Sequence, residues 1–373
     1  MTSDTTGHPV ITAWSAVSPY GLGRTAHAEG ITSGGPTAAA LDTEVWRGPD
    51  TTACLVPDFE VRTVLGKAGT RTMDRMTGLA VTAVRELFQE AEDAGSPVPD
   101  GTGTALVLGT ALGSAQTQHT FVRASFEEAK PYDVPAQMMP SVLMNCPASA
   151  TAIRFGLKGP NTTVAGGRSA GLLALAYARR LLAAGRAERT VVGAVEEYSA
   201  ARAWLEKHGA EAPGTVPLGE GCAVLVLEPG DAEGAHAHPP LAELLAIDVR
   251  ADVRGDLPGT LAACVDEALA RSGTGTEEVW AALGGGLPGA YGAAEQELLA
   301  ARFGTEAAER LAGHELIGDT SGASGAFQLA AALVGAADDP DSAGRTAVVT
   351  SVDRDGLVAC AVLRLCGNGG AGR

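Results

Sequence analysis

The chain has 373 residues, of which 45% are hydrophobic and 4% aromatic, with 49 glycines and a formal net charge of −17. Its apolar content excludes a disordered chain, its length suits about two domains or one large one, and its acidity opposes nucleic acid and anionic membrane surfaces. No apolar run reaches the roughly 18 residues of a membrane span, and Met1-Thr2-Ser3-Asp4 lacks the basic and apolar regions of a secretory signal, so a cytoplasmic setting is expected.

In chain order, Val10-Ile11-Thr12-Ala13-Trp14 reads as a strand ended by the turn Ser18-Pro19-Tyr20-Gly21. Residues 73–94 read as a helix, because Met73, Met76, Ala80, Val84, Leu87 and Ala91 recur at three and four and Gly95-Ser96-Pro97 stops it. Ala105-Leu106-Val107-Leu108 is a buried strand, followed by a helix over 115–129 and a Pro- and Met-rich stretch over 131–147. Past Gly159-Pro160 come a short strand, Gly166-Gly167, an Ala/Leu helix over 170–184 and strands at 190–194 and 222–227. Further on, strands near 241–249, 280–284, 345–351 and 357–365 are interleaved with helices near 260–271, 293–302 and 323–336. Short apolar strands alternating with helices predict an α/β protein with a largely buried sheet.

Residues 229–240, rich in Gly, Ala, Pro and His, read as a linker between halves at 1–228 and 241–373. Arg189-Thr190-Val191-Val192 leads on to Cys222-Ala223-Val224-Leu225-Val226-Leu227, and Arg345-Thr346-Ala347-Val348-Val349 leads on to Cys360-Ala361-Val362-Leu363-Arg364-Leu365. This weak repeat predicts a duplicated unit. The six cysteines, none closely paired, read as buried free thiols. His236-x-His238 lies in the linker without other ligand types around it, so a solvated loop is expected. No metal and no other cofactor is implied, since neither a Walker loop nor a dinucleotide-binding glycine pattern is present.

Six segments then stand out together. They are residues 10–23 (VITAWSAVSPYGLG), Met73-Asp74-Arg75, Asn145 with Gly156-Leu157-Lys158-Gly159-Pro160-Asn161, Gly193-Ala194-Val195-Glu196, Gly219-Glu220-Gly221-Cys222-Ala223, and Gly322-Ala323-Ser324-Gly325-Ala326. In this order and spacing the chain resembles the β-ketoacyl synthases of the thiolase superfamily along nearly its whole length. The resemblance implies a thiolase-like duplicated five-layer α-β-α-β-α fold that works as a dimer. It also implies a nucleophilic cysteine at the start of a buried helix, where the helix N-terminus favours the thiolate and backbone N–H groups hold the oxyanion. Two histidines would decarboxylate a malonyl thioester, and a lysine would tune one of them.

Those positions are changed here. The cysteine falls on Arg168, which stays protonated and cannot attack a thioester. The histidines fall on Gly284 and Asp319, the lysine on His314, and the C-terminal Gly-Phe-Gly gate on Val352-Asp353-Arg354-Asp355-Gly356. The pattern is similar to the chain length factor, the inactive subunit of type II polyketide ketosynthase heterodimers. It implies a catalytic ketosynthase as partner and an acyl carrier protein docked mainly on that partner. Arg168 replaces the Gln usual in aromatic systems, and the stretch from Ala326 to Val352 is shorter than in the usual ketosynthase. These departures lean toward the smaller factors of highly reducing, polyene-making systems.

Gln116, Phe121 and Met138 are expected at the interface, shaping the partner's acyl tunnel, with adaptable Met side chains suited to an apolar chain. Gly167-Arg168-Ser169-Ala170-Gly171 also matches a hydrolase nucleophile elbow. That keeps a second reading open, an acyltransferase or thioesterase using Ser169 with His314 and Asp319. The plainer expectation is that Ser169 caps its helix and Arg168 pairs with Asp319.

Overall fold

A computed structural model describes residues 7–209, 216–230, 239–311 and 314–367, with residue 314 as backbone alone; His236, His238 and most of the 229–240 linker lie outside the described residues. Among the described residues, the strands longer than two residues are β1 (Val10–Ser18), β2 (Thr104–Thr110), β3 (Asn161–Ala165), β4 (Arg189–Glu196), β5 (Gly221–Glu228), β6 (Ala242–Ala251), β7 (Val279–Leu283), β8 (Thr346–Val352) and β9 (Leu357–Leu365). They form one sheet in the order β7-β8-β9-β6-β1-β5-β4-β2-β3, with Gly21–Leu22 folded back on β1.

This sheet is two copies of one plan. In the first, β2 is parallel to β4, β4 antiparallel to β5, and β5 antiparallel to β1. In the second, β7 is parallel to β8, β8 antiparallel to β9, and β9 antiparallel to β6. The copies join where Val10 and Ile11 pair with Glu243 and Ala242. Most of the strands, β3 apart, are buried on both faces, which is why they read as continuous apolar runs such as Val191-Val192-Gly193-Ala194-Val195.

The longer helices are α1 (Gly23–Ser33), α2 (Arg75–Asp93), α3 (Ala115–Glu127), α4 (Cys146–Phe155), α5 (Ala170–Ala183), α6 (Ala200–Gly209), α7 (Leu257–Ser272), α8 (Ala290–Phe303) and α9 (Ser324–Asp338). Helices α5 and α9 lie between the two strand groups and touch both. Helices α2 and α4 cover the first group, and α7 and α8 cover the second. The result is five layers with a thiolase-like duplicated topology, and three apolar clusters fill the spaces between them.

Close spacing of the central helices explains a chain so rich in Gly and poor in aromatics. A Cβ on Gly171 of α5 would lie 3.0 Å from the Ala326 nitrogen of α9, and a Cβ on Gly325 would lie 3.0 Å from Leu172 Cγ. Each glycine therefore admits the other helix.

Helices α1, α4 and α6 go unread in the sequence. Helix α1 carries no sustained apolar stripe, since only Gly23, His27 and Gly30 are buried. Helix α4 does carry end signals, with Pro147 in its first turn and Gly156 in the left-handed conformation at its end (φ 68°). All six cysteines are free as expected, but Cys146 and Cys366 are half-buried rather than buried. Among the described residues no helix is long and apolar enough to cross a membrane.

Replacing Gly171 with Val is expected to cost about 1–3 kcal/mol through overpacking. A lowered urea midpoint checks this, and an unchanged midpoint would show that the helices separate freely.

Candidate functional site at the start of the central helix

Strand β3 turns into α5 through Gly166-Gly167-Arg168-Ser169. The turn needs its glycines. Gly167 has φ +54°, and a Cβ there would lie 2.1 Å from Asp353 Oδ2, while one on Gly166 would lie 2.2 Å from Leu173 Cδ1. The chain therefore delivers the next side chain, Arg168, inward under a tight backbone.

Arg168 is 5% exposed and Asp319 is 2% exposed. Nη1 of Arg168 donates to both carboxylate oxygens of Asp319, at 2.7 and 2.8 Å, and Nη2 donates to the Gly285 carbonyl at 3.3 Å. Oδ1 of Asp319 also accepts the Ser321 N–H at 2.8 Å. Burial alone would push the Asp319 carboxyl up, but the Arg168 and Arg202 guanidinium groups outweigh it and hold the group below the usual carboxylate range. The backbone of Asp319 is fixed as well. Its carbonyl accepts from Arg202 Nη2 at 2.7 Å and from the Gly219 N–H at 2.9 Å.

The other changed positions are also filled. A Cβ on Gly284 would lie 2.9 Å from Gln296 Nε2 and 3.2 Å from the Glu295 carboxyl, so a larger side chain fits there only if those side chains move. The Gly284 carbonyl accepts from Gln328 Nε2. Glu295 is buried and accepts the Gly285 N–H at 2.8 Å and the Thr350 hydroxyl at 2.7 Å, and burial pushes its carboxyl up. Asp353 of the altered gate accepts the Arg168 N–H at 2.5 Å. The N–H that an oxyanion would use at the head of α5 is already bonded to a carboxylate of the same chain.

Ser169 is fully buried beside this cluster. It stands at the N-cap of α5 but makes no side-chain cap, in contrast to the sequence expectation. Its hydroxyl is drawn instead to Ser351 Oγ at 3.2 Å and to the Leu357 carbonyl at 3.5 Å. No histidine or carboxylate is among these partners, and Asp319 is engaged by Arg168. The His314 side chain lies outside the described residues; its backbone begins the short helix His314–Ile317.

Gln116, Phe121 and Met138 lie apart from this cluster, on α3 and the turn Ala136–Met138. All three are half-buried. Gln116 Oε1 accepts the Ala201 N–H of α6 at 3.2 Å. Around them Val122, Phe126, Tyr132, Met139 and Leu143 are exposed.

Two carboxyls that sequence reasoning missed hold the loop before α3. Glu196 accepts the Thr110 hydroxyl at 2.9 Å and the Ala111 N–H. Glu197 accepts the Ser114 hydroxyl at 3.2 Å and the Gln116 N–H at 3.3 Å. Burial pushes Glu196 up to about 7; burial, aided by Asp74, pushes Glu197 up to about 8. The signal available was a pair of acids ending an otherwise apolar strand. Among the described residues no group of three or more His, Cys, Asp or Glu is placed to hold a metal.

The sequence profile of the beta-ketoacyl synthase N-terminal domain matches residues 10–232. The chain is similar to 3-oxoacyl-[acyl-carrier-protein] synthase 2 of Vibrio harveyi, 27% identical over 221 residues that cover 54% of this chain and 52% of that protein. It is similar to the enzyme of the same name from Rhizobium meliloti, 26% identical over 277 residues that cover 66% of this chain and 64% of that protein. The chain thus spans about half to two thirds of these curated relatives. Among solved structures, it is 47% identical to a chain of the ishigamide ketosynthase/chain length factor, with a TM-score of 0.91 and coverage of 97% of this chain and 100% of that one. The structure of a type II polyketide synthase acyl carrier protein with its ketosynthase bound to the hexaketide, AntDE:AntF, shares the fold at 17% identity, with a TM-score of 0.78 and coverage of 97% and 100%.

Two outcomes test the electrostatics. Arg168→Ala leaves the Asp319 carboxylate buried without its partner and is expected to cost about 3–5 kcal/mol of stability, read from urea unfolding. Glu197 keeps, in the folded state, a proton that the unfolded chain releases above about pH 4.3. Stability therefore falls as pH rises from there to about 8. Glu197→Gln is expected to raise the urea midpoint at pH 8 and to leave it nearly unchanged at pH 4.

Proposed function

The chain belongs to the β-ketoacyl synthase family, and from that premise we propose that it is a chain length factor, a non-catalytic subunit that pairs with a catalytic ketosynthase in a type II polyketide synthase. One observation carries the proposal: the nucleophile position is filled by a buried guanidinium locked to Asp319. A guanidinium that stays protonated has no lone pair to offer a thioester carbon. The histidine positions hold Gly284 and Asp319, so decarboxylation of a malonyl group has no imidazole to assist it. The 47% identity to a chain of the ishigamide ketosynthase/chain length factor supports the same reading. The short run between Ala326 and Val352 supports the highly reducing, polyene-making type.

The pairing is supported by the edge of the sheet. Strand β3 is the last in the order, pairs on one side with β2, and is mostly half-buried or exposed. An open strand edge, together with the exposed Phe126, Tyr132 and Leu143, suits a second subunit of the same fold. With a net charge of −17 on this chain, an acidic carrier protein docks mainly on the catalytic partner. No cofactor is needed. Both halves, 1–228 and 241–373, act as one subunit in the cytoplasm.

Its contribution to chemistry is steric. Gln116, Phe121 and Met138 wall the partner's tunnel, and an extra two-carbon unit in a full tunnel costs on the order of 1–3 kcal/mol of overpacking. That slows extension about ten- to a hundred-fold.

The chain is expected to co-purify 1:1 with a cysteine-bearing homologue and to turn over no acyl thioester alone. In the complex, Phe121→Ala or Met138→Ala is expected to lengthen or scramble the products, read by mass spectrometry. An acyl adduct trapped on Ser169, or turnover by the isolated chain, would sink the proposal in favour of the acyltransferase or thioesterase reading.

A further inference from the structure

Between the filled reactive centre and the tunnel-facing helix runs one set of buried polar contacts that serves neither thioester chemistry nor the apolar core. Arg168 holds the Asp319 carboxylate. The Asp319 carbonyl accepts from Arg202 Nη2 at 2.7 Å, and Nη1 of the same guanidinium donates to the carbonyls of Gly219, at 2.8 Å, and Glu197, at 3.0 Å. The Glu197 carboxyl in turn accepts from Ser114 and from the N–H of Gln116, the second residue of α3. Ser114 Oγ also lies 2.8 Å from the Thr117 hydroxyl, which reaches Asp74 Oδ2 at 3.3 Å. Arg202 is 1% exposed and Glu197 is 3% exposed.

We infer that Glu197, backed by Arg202, is a positioning residue that sets how far α3, and with it Gln116 and Phe121, projects toward the partner's tunnel. This rests on the chain-length reading above. The physical argument is one of alternatives. The first-turn N–H groups of a helix have no partner within the helix. Helix α3 begins without a side-chain cap of its own, since Ser114 makes none. The carboxyl of Glu197 supplies that missing partner from a different layer. A neutral acid or an amide serves as well as a carboxylate, because Oε1 acts only as an acceptor toward Ser114 and Gln116. Few apolar side chains hold α3 down otherwise: only Ala115 and Thr117 of its 13 residues are buried. A helix pinned at one end by hydrogen bonds shifts as a unit when they go. The filled centre thereby anchors the wall of the tunnel without touching the growing chain.

The test uses the complex with its catalytic ketosynthase, supplied with malonyl-loaded carrier protein, with product lengths read by mass spectrometry. Glu197→Ala is expected to raise the share of over-long products about fivefold, the ratio given by the net free energy of one hydrogen bond. Glu197→Gln keeps the Oε1 acceptor and is expected to retain the wild-type distribution, whereas Glu197→Met, which fills similar space without an acceptor, is expected to shift it as Glu197→Ala does; a wild-type distribution from Glu197→Met would assign the effect to packing. Should Glu197→Ala yield no complex, Ser114→Ala removes one donor to the same carboxyl and is expected to shift lengths in the same direction. If Phe121→Ala changes the products while Glu197→Ala and Ser114→Ala leave them alone, the positioning role is overturned and the chain-length reading stands. If Phe121→Ala changes nothing in an intact complex, both fall together.

Discussion

Everything around the start of α5 is arranged to satisfy one buried positive charge. A guanidinium taken out of water needs its charge balanced and most of its donors met; here both Nη atoms are engaged and Nε is not. Asp319 supplies the balance and Gly285 a carbonyl. Asp319 must itself be held in place, and Arg202, Gly219 and Ser321 do so. Asp353 then occupies the backbone N–H of the same residue. The substitutions are therefore interlocked. A thiol at position 168 would leave the Asp319 carboxylate buried without its cation. The changed positions form a packed polar structure and are more than the absence of a few side chains.

The same economy of space governs the layers. Two strand groups, each covered on its outer face, share α5 and α9 between them. Ala and Gly at the helix contact let the central helices and the two strand groups approach closely, and the few large side chains, such as Trp280 and Phe327, fill what is left. Turning through Gly166-Gly167 brings Arg168 to the middle of this assembly, where water does not reach it. Position along the chain and depth in the fold are thus set by the same glycines.

Much of this is legible in the residues. Buried strands such as 222–227 declare themselves by unbroken apolar runs, and the repeated strand pairs after residues 189 and 345 match β4-β5 and β8-β9. The correspondence of Arg168 with Asp319 follows from counting along motifs. What stays hidden depends on contacts between distant segments. Helices α1 and α6 bury too few apolar side chains to show a stripe. Glu196 and Glu197 look like a strand end reaching solvent until α3 and the 110–114 loop are folded over them. Ser169 has the sequence of a capping residue, but Ser351 comes from another part of the chain and takes its hydroxyl.

The rim of the sheet has a consequence for the cell that makes this protein. Asn161–Ala165 offers one row of N–H and C=O groups to β2 and presents the other outward. Until a partner covers it, that row is a template for any extended segment, including the same strand of a second copy. If the proposed pairing holds, an excess of this chain over its partner is a burden on chaperones and proteases. On the proposed pairing, making the two subunits in matched amounts would keep the uncovered population small.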